Sequence, residues 1–285
     1  LDDGADGPGR AREAGAAGRL LRLRLPSGGP AARLMEVASP PETPRALSWA
    51  VHRAFSTGSR SVLLSSEATG FLSDAMGAAL FGAALTLLAG GVPAAEIEAA
   101  AQGLGFARGP LRLIDELGAA TTLRRLRRVF EARQVPTGPL RLLSDRIADH
   151  GAGAAQALAF HVPAGQTLAP DPDLAQWLKE WRTAHPDHAP GWPGTDPALA
   201  LHAALVNEGA RLIAARALQR RSDPDLVMIR GFGMDRTSGG PLFQADLNGL
   251  LAPMRAMAKL REVNAALWAP SPLLHDMVKN GERFF

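Results

Sequence analysis

Cysteine is absent from all 285 residues, which excludes a disulfide framework, a cysteine-ligated zinc and a thiol nucleophile. That absence fits a cytoplasmic protein, the expected location. Lysine is nearly absent too, at Lys179, Lys259 and Lys279 only, so an isoelectric point of about 10.1 rests on arginine and its very high pKa. The formal net charge is just +3, too little to indicate a nucleic-acid partner, and none is expected. Long apolar runs are missing as well. The longest, around Met76 to Leu88, contains glycines and falls short of the roughly 20 apolar residues a bilayer requires, so no membrane span is expected. Leu1-Asp2-Asp3-Gly4 has neither a basic nor an apolar region, so no secretory signal is visible, and Leu1 in place of Met suggests a fragment.

What is present suffices for a packed core: 46% of residues are hydrophobic and mean hydropathy is −0.02. Residues 1–18 are Gly, Ala, Asp and Arg without apolar period and read as a loose tail. Leu20 to Leu25 alternates like a strand, Leu34-Met35-Glu36-Val37 like a second and Ser61 to Leu64 like a third. Pro26 to Pro30 reads as a loop, and Leu47, Val51 and Phe55 share a helical spacing after Ser39-Pro40-Pro41-Glu42. From Met76 onward the pattern is helical. Leu123, Leu126, Val129 and Phe130 form one apolar face, with Arg124, Arg125, Arg127, Arg128 and Arg133 largely off it, as on a solvated helix face. Seven prolines between 161 and 197 mark a connector with one short helix near Trp177, and a strong helix runs from Leu199 towards Leu218.

An internal repeat organises the helical region. Gly103-Leu104-Gly105-Phe106 is echoed by Gly231-Phe232-Gly233-Met234, and Gly109-Pro110-Leu111, Asp115 and Gly118 by Gly240-Pro241-Leu242, Asp246 and Gly249. The offset is 231 − 103 = 128, then 241 − 110 = 246 − 115 = 249 − 118 = 131, so one loop carries three extra residues. Pro139-Leu140 and Pro272-Leu273 continue the register. These glycines follow helices and lack the Gly-x-Gly-x-x-Gly spacing, so they are turn residues and not a phosphate loop.

Asn207-Glu208, Asp223-Pro224-Asp225-Leu226, Gly231-Phe232-Gly233, Gly239-Gly240-Pro241, Asp246 and the segment from Pro270 to Phe285 resemble the last domain of multifunctional fatty-acid β-oxidation proteins. Leu34 to Val37, Gly70-Phe71, Gly91-Val92, Gly103 to Phe106, Gly109-Pro110 and Asp115 to Gly118 are similar to the first C-terminal domain of the same L-3-hydroxyacyl-CoA dehydrogenase family. The likeness covers roughly residues 20–285. It implies a mainly α fold, with duplicated helical C-terminal domains after a short α/β remnant of a Rossmann domain. The expected divisions are a tail at 1–18, the NAD-binding remnant at 19–66, a first helical domain at 67–160, a Pro-rich connector at 161–197 and a second helical domain at 198–285. It also implies oxidation of an L-3-hydroxyacyl-CoA, with hydride passing to NAD. The glycine-rich nucleotide turn is not found, so the NAD domain is expected to be incomplete. An acyl-CoA substrate and a homodimer or separate N-terminal domain are the expected partners. The alternative is a catalytically inactive scaffold or acyl-CoA-binding pseudo-enzyme.

The family's catalytic pattern can be carried over position by position. Its base is a histidine oriented by a glutamate twelve residues later. Glu36 matches the glutamate, and twelve earlier stands Arg24, which stays protonated and cannot accept the proton. The family's Asn and Arg after Gly-Phe fall on Asp74 and Ala75, so an amide donor becomes a carboxylate. Glu36, Asp74 and Arg24 are therefore the candidate site residues, two of them substituted. His185-Pro186-Asp187-His188 lacks a third ligand for a metal, so no metal site is expected, and Ser65, Ser66 and Ser73 do not sit in a nucleophile elbow.

Overall fold

The computed structural model describes residues 22–25, 34–39, 49, 53, 61–66, 70–136, 138–149, 158–165 and 167–285. The expected tail, the Pro26 to Pro30 loop and the helix through Leu47, Val51 and Phe55 lie outside the described residues. Three strands lead: β1 (Arg22–Arg24), β2 (Leu34–Ser39) and β3 (Ser61–Ser66). They form one sheet in that order, β1 antiparallel and β3 parallel to β2. The register sets Arg24 directly opposite Glu36. In the β1–β2 pair the side chains of opposed residues fall on one face, a few ångströms apart.

Helix α1 (Leu72–Ala89) is buried along nearly its whole length, with Asp74 its one charged residue. A helix apolar on all sides has no solvated stripe to lose and sits in the centre of a core. It meets the membrane-helix criteria of length and hydropathy, yet 94% of it is buried inside the protein. It begins four residues before the apolar run at Met76, because its start is fixed from outside. The cap position is Phe71, which offers no side-chain acceptor, and the carboxylate of Glu36 on β2 accepts from the Leu72 and Ser73 amides instead.

Around α1 pack α2 (Ala94–Gly103), α3 (Pro110–Leu117), α4 (Ala119–Ala132) and α5 (Gly138–Asp149). A hairpin of β4 (His161–Ala164) and β5 (Thr167–Pro170) follows, then α6 (Leu174–Ala184) and a single 3-10 turn at Pro186–His188. The prolines at 163 and 170 hid this hairpin, since proline counts against a strand; in a two-stranded pair each strand keeps an edge where it is tolerated. The second half is α7 (Pro197–Ala214), α8 (Asp223–Gly231), α9 (Pro241–Asn248), α10 (Leu251–Leu260), α11 (Ala265–Trp268) and α12 (Pro272–Asn280).

The halves repeat each other down to their hydrogen bonds. Helices α1 and α7 both have 18 residues and pack together at the centre. Glu98 accepts from the Leu111 amide at 2.8 Å, as Asp225 does from Leu242 at 2.8 Å, each acid capping the next Pro-initiated helix. Asp115 takes the amides of Ala159 and Phe160, and Asp246 those of Phe284 and Phe285. The repeated glycine turns meet at the junction. Phe106 pairs antiparallel with Met234, the Ala107 amide donates to Gly233 at 3.1 Å, and Asp235 donates to Gly105 at 2.8 Å. Gly105 and Gly233 hold φ of +103° and +77°, open to glycine and strained for other residues.

Candidate functional site

The three residues singled out from sequence come together where the sheet meets the start of α1. Arg24 Nη2 donates to Asp74 Oδ2 at 2.9 Å, and its guanidinium lies 4.8 Å from the centre of the Phe71 ring. Both side chains of this ion pair are largely buried. Glu36 is fully buried, and besides the two helix amides it accepts from Ser73 Oγ at 2.7 Å. Its carboxylate caps the N-terminus of α1. Chemically the cluster holds one guanidinium against one carboxylate and locks the second carboxylate as a cap.

From this cluster a cleft of about 830 Å³ opens between the sheet and both helical halves. Phe71, Val129, Val135 and Leu212 give it apolar walls. Among the described residues Arg24, Arg128, Arg133 and Arg211 line it with two carboxylates, Asp74 and Glu208, so arginines outnumber acids on its walls. Glu208 on α7 is buried and joins the halves: Arg133, after α4, reaches it with both terminal nitrogens at 2.8 and 2.6 Å. Arg211 lies 3.8 Å from the same carboxylate and donates to the carbonyls of Ala266 and Ala269. Burial lowers the Arg211 pKa from its ordinary value, and Glu208 opposes that shift.

The arginine series read as a solvated helix face divides three ways. Arg124 and Arg127 point outward and bond Thr121 and Ser144. Arg128 and Arg133 line the cleft, and Arg125 lines a narrow apolar slot beside it. The roles of Glu208 and Arg211 were missed; their signal was a charged pair three apart on an otherwise apolar helix, where neither is easily kept without partners. His185 stacks on Trp181 and meets Arg141, and no group of three His, Cys, Asp or Glu able to hold a metal occurs among the described residues.

Fold and cleft together define a duplicated helical bundle carrying an arginine-lined, apolar-walled cleft at the end of a small sheet. Residues 70–160 match the family described as 3-hydroxyacyl-CoA dehydrogenase, C-terminal domain. Among curated proteins, the peroxisomal bifunctional enzyme of Cavia porcellus is 26% identical over 194 residues, covering 62% of this chain and 26% of that protein. The same-named protein of Danio rerio is 35% identical over 83 residues, 27% of this chain and 11% of that one. Of solved structures, 3-hydroxybutyryl-CoA dehydrogenase from Escherichia coli superposes with a TM-score of 0.68 at 16% identity, over 93% of this chain and 72% of that one. The dehydrogenase part of multifunctional enzyme 1 from C. elegans gives 0.55 at 14% identity, over 91% and 60%. Residues 70–160 thus match the 3-hydroxyacyl-CoA dehydrogenase C-terminal domain family, and the chain is similar in sequence to multifunctional fatty-acid β-oxidation proteins. It spans about a quarter of the length of the guinea-pig relative.

Proposed function

We propose that this chain is the substrate-side helical region of a 3-hydroxyacyl-CoA dehydrogenase-type protein and binds an acyl-CoA in the cleft between sheet and bundle. The composition of that cleft carries the proposal. An acyl-CoA joins an apolar chain to an anionic, phosphate-bearing head, and the cleft pairs apolar walls with four arginines. Arg24, Arg133 and Arg211 already meet Asp74 and Glu208, so what the cleft offers a phosphate is the excess of four guanidiniums over two carboxylates among its described residues.

The reaction proposed for the whole protein is oxidation of an L-3-hydroxyacyl-CoA to the 3-oxoacyl-CoA, with NAD receiving the hydride. The sequence contains no Gly-x-Gly-x-x-Gly turn of the kind that cradles the pyrophosphate of NAD. Removing the hydroxyl proton requires an acceptor. At the position proposed for the base stands Arg24, protonated and ion-paired with Asp74, while Glu36 already accepts from two amides and a hydroxyl. That observation favours a second reading, an acyl-CoA-binding pseudo-enzyme.

Both readings are tested on one sample by calorimetric binding of acetoacetyl-CoA and of NAD, followed by NADH-linked turnover. Acyl-CoA binding that weakens steeply with salt supports the cleft site. Absence of acyl-CoA binding refutes both readings. Binding with NADH-linked turnover selects the dehydrogenase, and binding without turnover, which Arg24→His with Asp74→Asn restores, selects the pseudo-enzyme.

A further inference from the structure

The slot beside the cleft shares Asp74 with it and runs inward between α1 and α4. Ser73, Asp74, Gly77 and Phe81 form one stripe on α1, and Thr122, Arg125 and Leu126 face them from α4. Leu117 and Phe232 complete its wall. It measures about 20 Å³, room for one group the size of a water molecule. Its walls are mostly apolar, and Gly77 keeps it open, since a Cβ there would come within 3.1 Å of Phe232 and 3.6 Å of Phe81.

Besides the charged Asp74 and Arg125, one uncharged polar wall residue does not fit an empty slot. Thr122 is 3% exposed, and its hydroxyl oxygen has no hydrogen-bond partner. A threonine inside a helix commonly turns its hydroxyl back to the carbonyl four residues earlier. Thr86 does so, bonding Gly82 at 2.8 Å, and Thr122 does not. Burying a hydroxyl without a partner costs stability, whereas a valine of the same shape there would cost none. An unmatched donor kept at that cost, in a slot opening beside the proposed site, marks a place where a ligand atom completes the bond.

We infer that the slot receives the far end of the ligand's acyl group and that Thr122 selects acyl groups bearing an oxygen there. This rests on the cleft being the acyl-CoA site. The slot admits only a tip, so the acyl group is short, and its terminal oxygen, ketone or carboxylate, takes the Thr122 hydroxyl. An all-carbon tip of equal length leaves that hydroxyl buried and unmatched, and sites built to hydrogen-bond a ligand group reject analogues that lack it.

Three probes share a five-carbon chain: pentanoyl-CoA, 4-oxopentanoyl-CoA and glutaryl-CoA. Calorimetry on the full chain and on Thr122→Val tests the selection. At least one oxygenated probe is expected to bind the wild type roughly tenfold more tightly than pentanoyl-CoA, and Thr122→Val to erase that difference while leaving pentanoyl-CoA unchanged. Without ligand, Thr122→Val is expected to melt at a higher temperature, showing that it folds. If all three probes bind alike in both proteins, the slot holds only a trapped water and the selection is overturned while the cleft site stands. If none binds, the cleft reading fails and this one with it.

Discussion

Glu208 is the residue on which the two helical halves lean, and Glu208→Gln measures how hard. The carboxylate is 2% exposed, accepts both terminal nitrogens of Arg133, and lies 3.8 Å from Arg211. Glutamine keeps the shape and one acceptor oxygen but presents an NH2 group to one of the two guanidinium nitrogens. Breaking a fully buried ion pair from one side costs about 3–5 kcal/mol. The Arg133 side chain is 35% exposed and regains water when released, which brings the expected loss to about 2–3 kcal/mol. For a chain of this size each kcal/mol moves the melting temperature by roughly 2–4 °C, so a drop of about 5–10 °C is expected. Thermal unfolding followed by far-UV circular dichroism at pH 7.5 reads this, with Glu262→Gln in the exposed Arg261–Glu262 pair as an unaffected control. Removing a negative charge from an arginine-lined cleft should also leave acyl-CoA affinity unchanged or raised at low salt. A melting temperature within 2 °C of wild type would refute the reasoning, because Arg133 and Arg211 would then be shown not to depend on this carboxylate.

Asp225 supplies a pH dependence. Burial pushes its carboxyl up to about 7, with Asp246 adding repulsion, although the Leu242 and Phe243 amides pull the other way. An acid with a raised folded pKa contributes stability fully present below its unfolded pKa and lost as pH rises through the folded one. The melting temperature should therefore fall between pH 4 and 7 on account of this group, and Asp225→Asn should flatten that fall; parallel curves would contradict it. Gly240 sits at φ +93°, and a Cβ there would approach the Asp225 Cβ to 2.4 Å, whereas Gly249 at +87° has open space. Gly240→Ala should cost well over the roughly 1–2 kcal/mol of left-handed strain that limits Gly249→Ala, as urea unfolding of the two variants will show. Arg24→Met with Asp74→Leu should be less destabilising than the sum of the two single changes, since the two largely buried charges meet at 2.9 Å; additive losses in the same assay would argue against a coupled pair.

How much of this was legible in sequence depends on the range of the interaction responsible. The duplicated glycine turns were visible because a positive φ is a local demand that only certain residues meet. The start of α1 was not, because Phe71 gives no capping signal and the acceptor, Glu36, is 36 residues away in the chain. The three leading strands were legible as short apolar segments, the first of them alternating, whereas the β4–β5 hairpin was hidden by its prolines. Within the site, Arg24, Glu36 and Asp74 could be named by position, but the ion pair between the first and last is a tertiary fact. The cleft depends on Arg133, Glu208 and Arg211, contributed by both halves, and no local pattern reports that they meet. Thr122 was invisible for the opposite reason: its distinction is a bond it does not make.

The proposed loss of the base gives these substitutions an internal logic. An arginine put where a neutral imidazole is expected brings a permanent charge into a site that is 6% exposed, and such a charge persists only beside a carboxylate. Asp74, standing where an amide is expected, is that carboxylate, so the two departures read as one event. The two charges meet at 2.9 Å, so each substitution offsets the burial cost of the other. Glu36 stands apart from them. Orienting a base would be one use for it, but the carboxylate also caps α1, the central helix, through Leu72 and Ser73, and that use does not depend on what occupies position 24. A site that had lost its base would keep Glu36 for the fold, exchange the two positions whose only duty was chemical, and retain the arginines of the cleft only if a ligand still bound there.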